Sequence, residues 1–347
     1  MNINLKYTCF ILLLLIISIS CRKNNEQDSI FNNIKNVKCK QVELEATLGK
    51  PDQLNIIDNY LIYADEIEND LLTFYDISKK HIVCRCFHKG QGPNDLLMPF
   101  RVDVNNQNKV IGIFQRQNGS YKEYNLAELL DNCIIPITKI NFPFGAEYVK
   151  KYNDNYFTAG FFENGSIAIY NKIGNLQKTI NVYPDYLNKI TDITNKYRIG
   201  QGPIGCLDSI FVFASTFTGD IKFYNISNNY SLIPQKSYYV KTASSNFKER
   251  VAESLQNTSI METDIVHFTQ IYTTNNYFYI LYSGESMKNN RYAKNSYVLK
   301  FDKKGKSIEC YKTDCKLFNI CINDQDTTLY GVAFSENFDY VIVEASI

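Results

Sequence analysis

One unit recurs along most of this 347-residue chain, and internal self-similarity constrains a fold more than any single motif does. Each copy starts with Asn or Asp in a turn, runs through four to six apolar residues, turns again, and returns as a second strand that ends in an aromatic residue followed by Asp or Asn. The first strands of the unit are Tyr60–Tyr63, Val110–Phe114, Tyr156–Ala159, Ile210–Phe213, Tyr277–Leu281 and Leu329–Val332. The second strands end at Tyr75-Asp76, Tyr124-Asn125, Tyr170-Asn171, Tyr224-Asn225 and Phe301-Asp302, and a sixth copy, Tyr340–Glu344, lacks that ending. The aromatic ring is suited to pack between sheets, while the Asp or Asn side chain bonds its own backbone and starts the next turn. Further strands follow at Ile82–Phe87, Leu176–Val182 and Ser307–Tyr311.

Between the Asp/Asn endings the spacings are 49, 46, 54 and 77 residues. Apart from the last, these match a four-stranded antiparallel blade, and a ring of such blades leaves only short, protected edges. The pattern predicts an all-β six-bladed β-propeller of four-stranded antiparallel blades. The sixth copy runs out near Ile347 with no room for an outer strand, so 37–48, with strand character at Val42 and Leu44, is expected to supply it and close the ring. Two inserts break the rhythm. Residues 184–197 place Leu187, Ile190 and Tyr197 at helical spacing, and 246–255 open with Asn246 and Glu249 as a capping pair ahead of Phe247, Val251 and Leu255. Both are predicted as short helices on one end of the disc.

The junctions also repeat. Gly90-Gln91-Gly92-Pro93 and Gly200-Gln201-Gly202-Pro203 are the same tetrapeptide, and Leu48-Gly49-Lys50-Pro51 takes the matching place before the first blade. Glycine permits positive φ where the chain crosses from an outer strand to the next inner one, and proline stiffens the re-entry. A phosphate cradle does not fit, because neither Lys-Ser/Thr nor a helix start follows.

At the N-terminus Lys6 precedes the apolar run Phe10–Ile17, then Ser18-Ile19-Ser20 and Cys21. The run falls short of the ~18 apolar residues of a membrane-spanning helix and has the layout of a secretory signal. Cys21 is the expected lipidation site. The domain reading is therefore a signal peptide at 1–20, a lipidated tether at 21–36, and the propeller at 37–347. Loss of 1–20 removes one basic residue, leaving 36 basic against 36 acidic. A neutral chain without a basic cluster is not built for nucleic acid, which demands phosphate-neutralising Lys and Arg.

With its signal ending at Cys21, the stretch Gly90-Gln91-Gly92-Pro93-Asn94-Asp95-Leu96 and the second Gly-Gln-Gly-Pro at 200–203, the chain resembles the TolB-like six-bladed β-propeller lipoproteins of Bacteroidetes. The resemblance covers nearly all of the chain after Cys21. It implies a propeller held by lipid to the outer membrane, facing the periplasm or the surface, and it implies no reaction.

Catalytic candidates are sparse. Of three histidines, His81 and His88 flank an outer strand, and His267 stands on an inner strand of the fifth blade, where a hydrogen-bonded structural histidine is expected. No Gly-x-Ser-x-Gly elbow occurs. Asn323-Asp324-Gln325-Asp326 resembles the start of a calcium loop, but the required Gly and closing Glu are missing and a hairpin turn is expected. Cys84 and Cys86 point to one strand face and CxxC pairs are absent, so most of the cysteines are expected as small buried hydrophobes, with a bridge from Cys39 to a neighbouring strand as the alternative. The reading expects a monomer without cofactor or metal that binds a protein or glycan partner in the cell envelope. Arg101, Glu147 and Gln270 are the candidate ligand-binding residues. The alternative is a metal-dependent lactonase or lyase acting at the channel, with Glu147 and Asn319 as its ion ligands.

Overall fold

The computed structural model describes residues 30–66, 69–240, 246–254 and 259–347; the signal segment and Cys21 lie outside the described residues. Six antiparallel sheets follow one another along the chain, spanning 52–88, 100–141, 146–180, 204–239, 265–313 and 319–346. They are numbered here as blades one to six. The six-bladed propeller of four-stranded blades is therefore present, and every first and second strand read from the repeat falls within a strand of the fold. Each blade opens with an inner strand that the repeat reading had not separated: Asp52–Ile57, Phe100–Asn105, Ala146–Tyr152, Ile204–Leu207, Ile265–Thr273 and Asn319–Ile322.

The aromatic endings hold the ring together. Tyr75, Tyr124, Tyr170 and Phe301 are almost fully buried. Tyr124 of blade two meets Phe87 of blade one edge-on at 5.0 Å. Phe142, in the crossover after blade two, meets Tyr170 of blade three at 5.0 Å, and Phe301 of blade five meets Phe223 of blade four at 5.2 Å. The hydroxyl of Tyr75 donates to the carbonyl of Glu43, tying blade one to the N-terminal segment. Rings of this size each bury ~150–250 Å², so these contacts are a main part of what holds blade to blade.

The polar half of each ending makes its turn. Asp76 Oδ1 accepts from the Ser78 and Lys79 amides, both at 3.0 Å, and Asp302 Oδ1 accepts from those of Lys304 and Lys306, both at 2.8 Å. In blade two the same chemistry does something else. Asn125 accepts from Ala127 N–H at 2.9 Å and caps a helix, Leu126–Leu130, that the repeat reading missed because an Asx turn and an N-cap share one local signature. In blade four the turn is held by Ser227, whose Oγ accepts from the Ser231 amide at 2.9 Å.

The ends of the chain meet in blade six. Its three C-terminal strands are completed by Lys40–Gln41, paired antiparallel to Tyr340–Ser346, and Val42 N–H donates to Ile342 O at 2.8 Å. The pairing strand is two residues long and lies ahead of Val42 and Leu44, which pack against the core instead. The tether boundary at residue 36 needs correction. Ile34–Val37 forms a fifth strand on blade five, parallel to Ser307–Thr313. Ile30 is fully buried there, and Phe31 packs against Tyr282 and Tyr297 at 5.1 and 5.9 Å. Two adjacent apolar residues in a polar stretch are enough to dock it. The inserts fold as a 3₁₀ turn, Asp185–Lys189, and α-helices Ile193–Gly200 and Asn246–Ser254. Leu255 lies outside the described residues.

The repeated junctions sit where outer strands cross to inner ones, but their glycines do not work through positive φ: none of Gly90, Gly92, Gly200 and Gly202 lies in the left-handed region. Space is the reason. A Cβ on Gly202 would stand 1.9 Å from the carbonyl oxygen of Ala214, while one on Gly92 would meet the Asp95 carboxylate at 2.7 Å, the group that accepts the Gly92 amide at 2.8 Å. Pro93 and Pro203 flank these contacts, and the Pro203 carbonyl accepts from Ala214 N–H. Backbone cannot yield as a side chain can. Gly202→Ala is therefore expected to cost ~3 kcal/mol, in the range of overpacked cores, and Gly92→Ala ~1 kcal/mol, about one hydrogen bond. Urea unfolding of the two variants checks this, and equal losses would contradict the steric account.

Candidate functional site

The inner strands surround a central channel whose side chains are largely spent on neighbouring blades. Gln53, at a bulge with φ of 54°, accepts the Val102 amide at 3.2 Å, linking blades one and two. The Gln270 amide group donates to Ile320 O at 2.9 Å and accepts from Ile320 N–H at 2.7 Å, linking five to six. Asn319 accepts from Leu54 N–H at 2.9 Å and donates to Asp52 at 3.2 Å, linking six back to one. The Arg101 guanidinium lies 4.2 Å from the centre of the Tyr148 ring, linking two to three. The remaining space is about 90 Å³. That suffices for a few waters and is far below the ~300–1,000 Å³ of small-molecule pockets.

Of the three residues expected to bind ligand, Arg101 and Gln270 line this channel and Glu147 does not. Burial works against the Arg101 charge, but Tyr148, Asp52, Tyr197 and Glu147 outweigh it and hold its pKa above the ordinary value. Glu147 is buried in a two-pronged pairing with Arg116, whose Nη2 donates at 2.6 Å. Gln270 is clamped to blade six. The structure thus brings Arg101 near Glu147 at the second and third blades and leaves Gln270 in a separate cluster with Asn319. Both residues considered as ion ligands, Glu147 and Asn319, are engaged by protein partners.

Sequence reasoning missed a second space, larger than the channel. At the end of the disc that carries the hairpins joining inner to second strands, a cleft of about 540 Å³ shares Asp103, Val104, Gly112, Tyr121, Lys150 and Thr273 with the lining of the channel. Its rim is amide: Asn105, Gln107, Asn108, Asn153 and Asn275 stand exposed on hairpin turns. Deeper in, Asn106 donates to Asp324 at 2.7 Å, leaving its own Oδ1 buried with no protein partner. The charged groups of the cleft are paired: Asp103 with Lys150, Glu123 with Lys151 at 2.7 Å, and Asp208 with Lys303 at 2.6 Å. Tyr121 reaches the cleft across Gly112, where a Cβ would strike its hydroxyl, and donates to Glu123 at 3.2 Å. Burial, then Glu123 and Asp103, raise the Tyr121 pKa well above the usual phenol value, so it remains a neutral donor. In sequence these amides read only as turn residues.

Two buried groups lie elsewhere. Lys316 Nζ donates to Ser283 Oγ at 2.8 Å and to Asn290 Oδ1 at 2.9 Å, and burial lowers its pKa to about 8 against an opposing pull from Glu285. Serine beside a low-pKa lysine is a nucleophile-and-base composition. Here, however, Ser283 is 4% and Lys316 7% exposed, and the trio fastens blade five to the crossover into blade six. His267 is also sealed. Burial lowers its pKa to about 4, and Nδ1 has no hydrogen-bond partner, which corrects the expectation of a hydrogen-bonded histidine.

No known protein-family profile matches the chain, and no curated protein aligns with it at significance. Solved structures do. A protein from Bacteroides fragilis described as exported superposes with a TM-score of 0.56 at 13% identity, covering 91% of this chain and 99% of its own. A member of the DUF4221 family from Bacteroides vulgatus gives 0.56 at 12%, covering 90% and 96%. At these identities the likeness establishes the propeller fold.

Because His267 is held neutral when folded and titrates near 6.5 when unfolded, the unfolded state binds the extra proton between those values. Its contribution to stability is complete above pH 6.5 and is lost as the pH falls towards 4, by roughly 3 kcal/mol. His267→Phe should flatten that part of the stability-versus-pH curve while changing stability little at pH 7. An unchanged slope between pH 6.5 and 4 would contradict it.

Proposed function

We propose that this chain is an exported, lipid-anchored propeller that binds a neutral glycan in the amide-rimmed cleft at the hairpin end of its disc, without catalysing its turnover. The observation that carries the reading is the charge balance of the cleft. Its carboxylates and ammonium groups are satisfied by one another, so what remains for a ligand is a rim of exposed amide donors and acceptors. Hydroxyl-rich, uncharged ligands match that inventory, and the cleft volume suits a short oligosaccharide segment. Export and anchoring are supported by Lys6, the apolar run Phe10–Ile17 and Cys21, and by the exported description of the Bacteroides fragilis neighbour. Among the described residues no helix is long and apolar enough to cross a membrane.

Calorimetric titration of the purified chain with neutral oligosaccharides, the gluco-, manno- and xylo-hexaoses among them, tests the site. At least one should bind, and Asn275→Ala, an exposed change at a turn residue of ordinary backbone conformation, should weaken it about tenfold, the value of one good hydrogen bond to ligand. Binding of a protein partner alone, or glycan binding indifferent to Gln107→Ala and Asn275→Ala, would overturn the assignment. The anchor is tested separately: Cys21→Ser should move the protein from the membrane fraction to the soluble one, since the acyl chains depend on that residue.

A further inference from the structure

Cys39, Asp314 and Cys315 form a cluster at the seam of the ring. The two Sγ atoms and a carboxylate oxygen all lie within 4.8 Å of one another, and among the described residues this is the one group of three metal-capable side chains. Cys39 sits between the strand that the N-terminal segment adds to blade five, Ile34–Val37, and the strand it adds to blade six, Lys40–Gln41. Cys315 sits in the crossover from blade five to blade six. Asp314 fixes the approach by accepting the Cys39 amide at 2.9 Å. Both thiols are free and half-buried against the core shared by blades one, five and six.

We propose that Cys39 and Cys315 are a disulfide-forming pair that covalently locks the N-terminal segment across the seam between the fifth and sixth blades. Of the other described cysteines, Cys84, Cys86, Cys310 and Cys321 are buried in the sheets, and the half-buried Cys133 and Cys206 lie in blades two and four, away from this seam. The chemistry needs a disulfide donor, such as a thiol–disulfide oxidoreductase or a small-molecule disulfide. Cys315 thiolate attacks one donor sulfur and displaces a donor thiolate, giving a mixed disulfide. Cys39 then loses its proton and attacks Cys315 Sγ, expelling the second donor thiolate. The two protein thiols give up two protons and two electrons, and the donor disulfide takes up both electrons. The order of attack follows from the contact between the thiols. Its hydrogen bond to Cys39 lowers the Cys315 pKa, and the same contact raises that of Cys39. The closed loop runs from residue 39 to 315 and takes in blades one to five, the long-loop case in which a cross-link most restricts the unfolded chain. A donor-rich compartment is available in the cell only if the export reading holds; the pairing itself does not depend on it.

The test uses the full chain, purified reduced and exposed to oxidised glutathione, then alkylated, digested and mapped by mass spectrometry. The expected result is one peptide pair joining Cys39 to Cys315, lost on adding dithiothreitol, with the other cysteines alkylated. The oxidised protein should melt roughly 5–10 °C above the reduced one. Cys39→Ser, Cys315→Ser and the double variant should each abolish that difference to the same extent. Recovery of both residues as alkylated thiols after oxidation would overturn the proposal, as would stoichiometric zinc held by the two thiolates with no linked peptide. Cys21→Ser retains both thiols and should still pair, so failure of the anchor reading is distinguishable from failure of this one.

Discussion

The packing of one aromatic ring against the next sheet is the interaction on which everything else in this protein rests. A blade is an antiparallel sheet with two apolar faces, and alone it leaves both in water. Tyr124 on Phe87, Tyr170 on Phe142 and Phe301 on Phe223 each bury a face by borrowing the neighbour's. That arrangement satisfies every blade only when the ring closes, because an open ring leaves one face bare at each end. Closure falls to the weakest element, the two residues Lys40–Gln41. Several contacts support it: the Tyr75–Glu43 hydrogen bond, the docking of Ile30 and Phe31 on blade five, and the proximity of Cys39 to Cys315.

Closure also determines the chemistry available at the axis. Six inner strands brought this close leave little room, so their polar side chains satisfy each other's backbones: Gln53 to Val102, Gln270 to Ile320, Asn319 to Leu54. Buried polar groups must be paired, and here the pairing doubles as the stitching between blades. The polar groups left exposed lie outward at the hairpin end, where turn residues are not needed to hold the ring. The rim amides meet both conditions.

The fold was legible because its signals are local. An aromatic residue followed by Asp or Asn fixes a strand end and a turn within five residues, and Asp76 and Asp302 make the bonds their positions imply. What could not be read depends on partners distant in sequence. Gly202 is required by the Ala214 carbonyl, and nothing near Gly202 says so. Arg101 and Gln270 were recognisable as polar residues on inner strands, yet their engagement with Tyr148 and Ile320 depends on the register of a neighbouring blade. The cleft was hidden for another reason: an Asn on a hairpin carries the same sequence signal whether it only makes the turn or also faces a ligand.

Hydrogen exchange of the full chain, read peptide by peptide, tests most directly whether the N-terminal segment is a working part of the ring. The Val42 amide, bonded to Ile342 O, and those of Ile34–Val37 should be protected to the same order as the strands of blade six, and should exchange together with them when blade six opens. Exchange of residues 34–42 within seconds, while 319–346 remain protected, would show that the ring is held without this segment and would contradict the account.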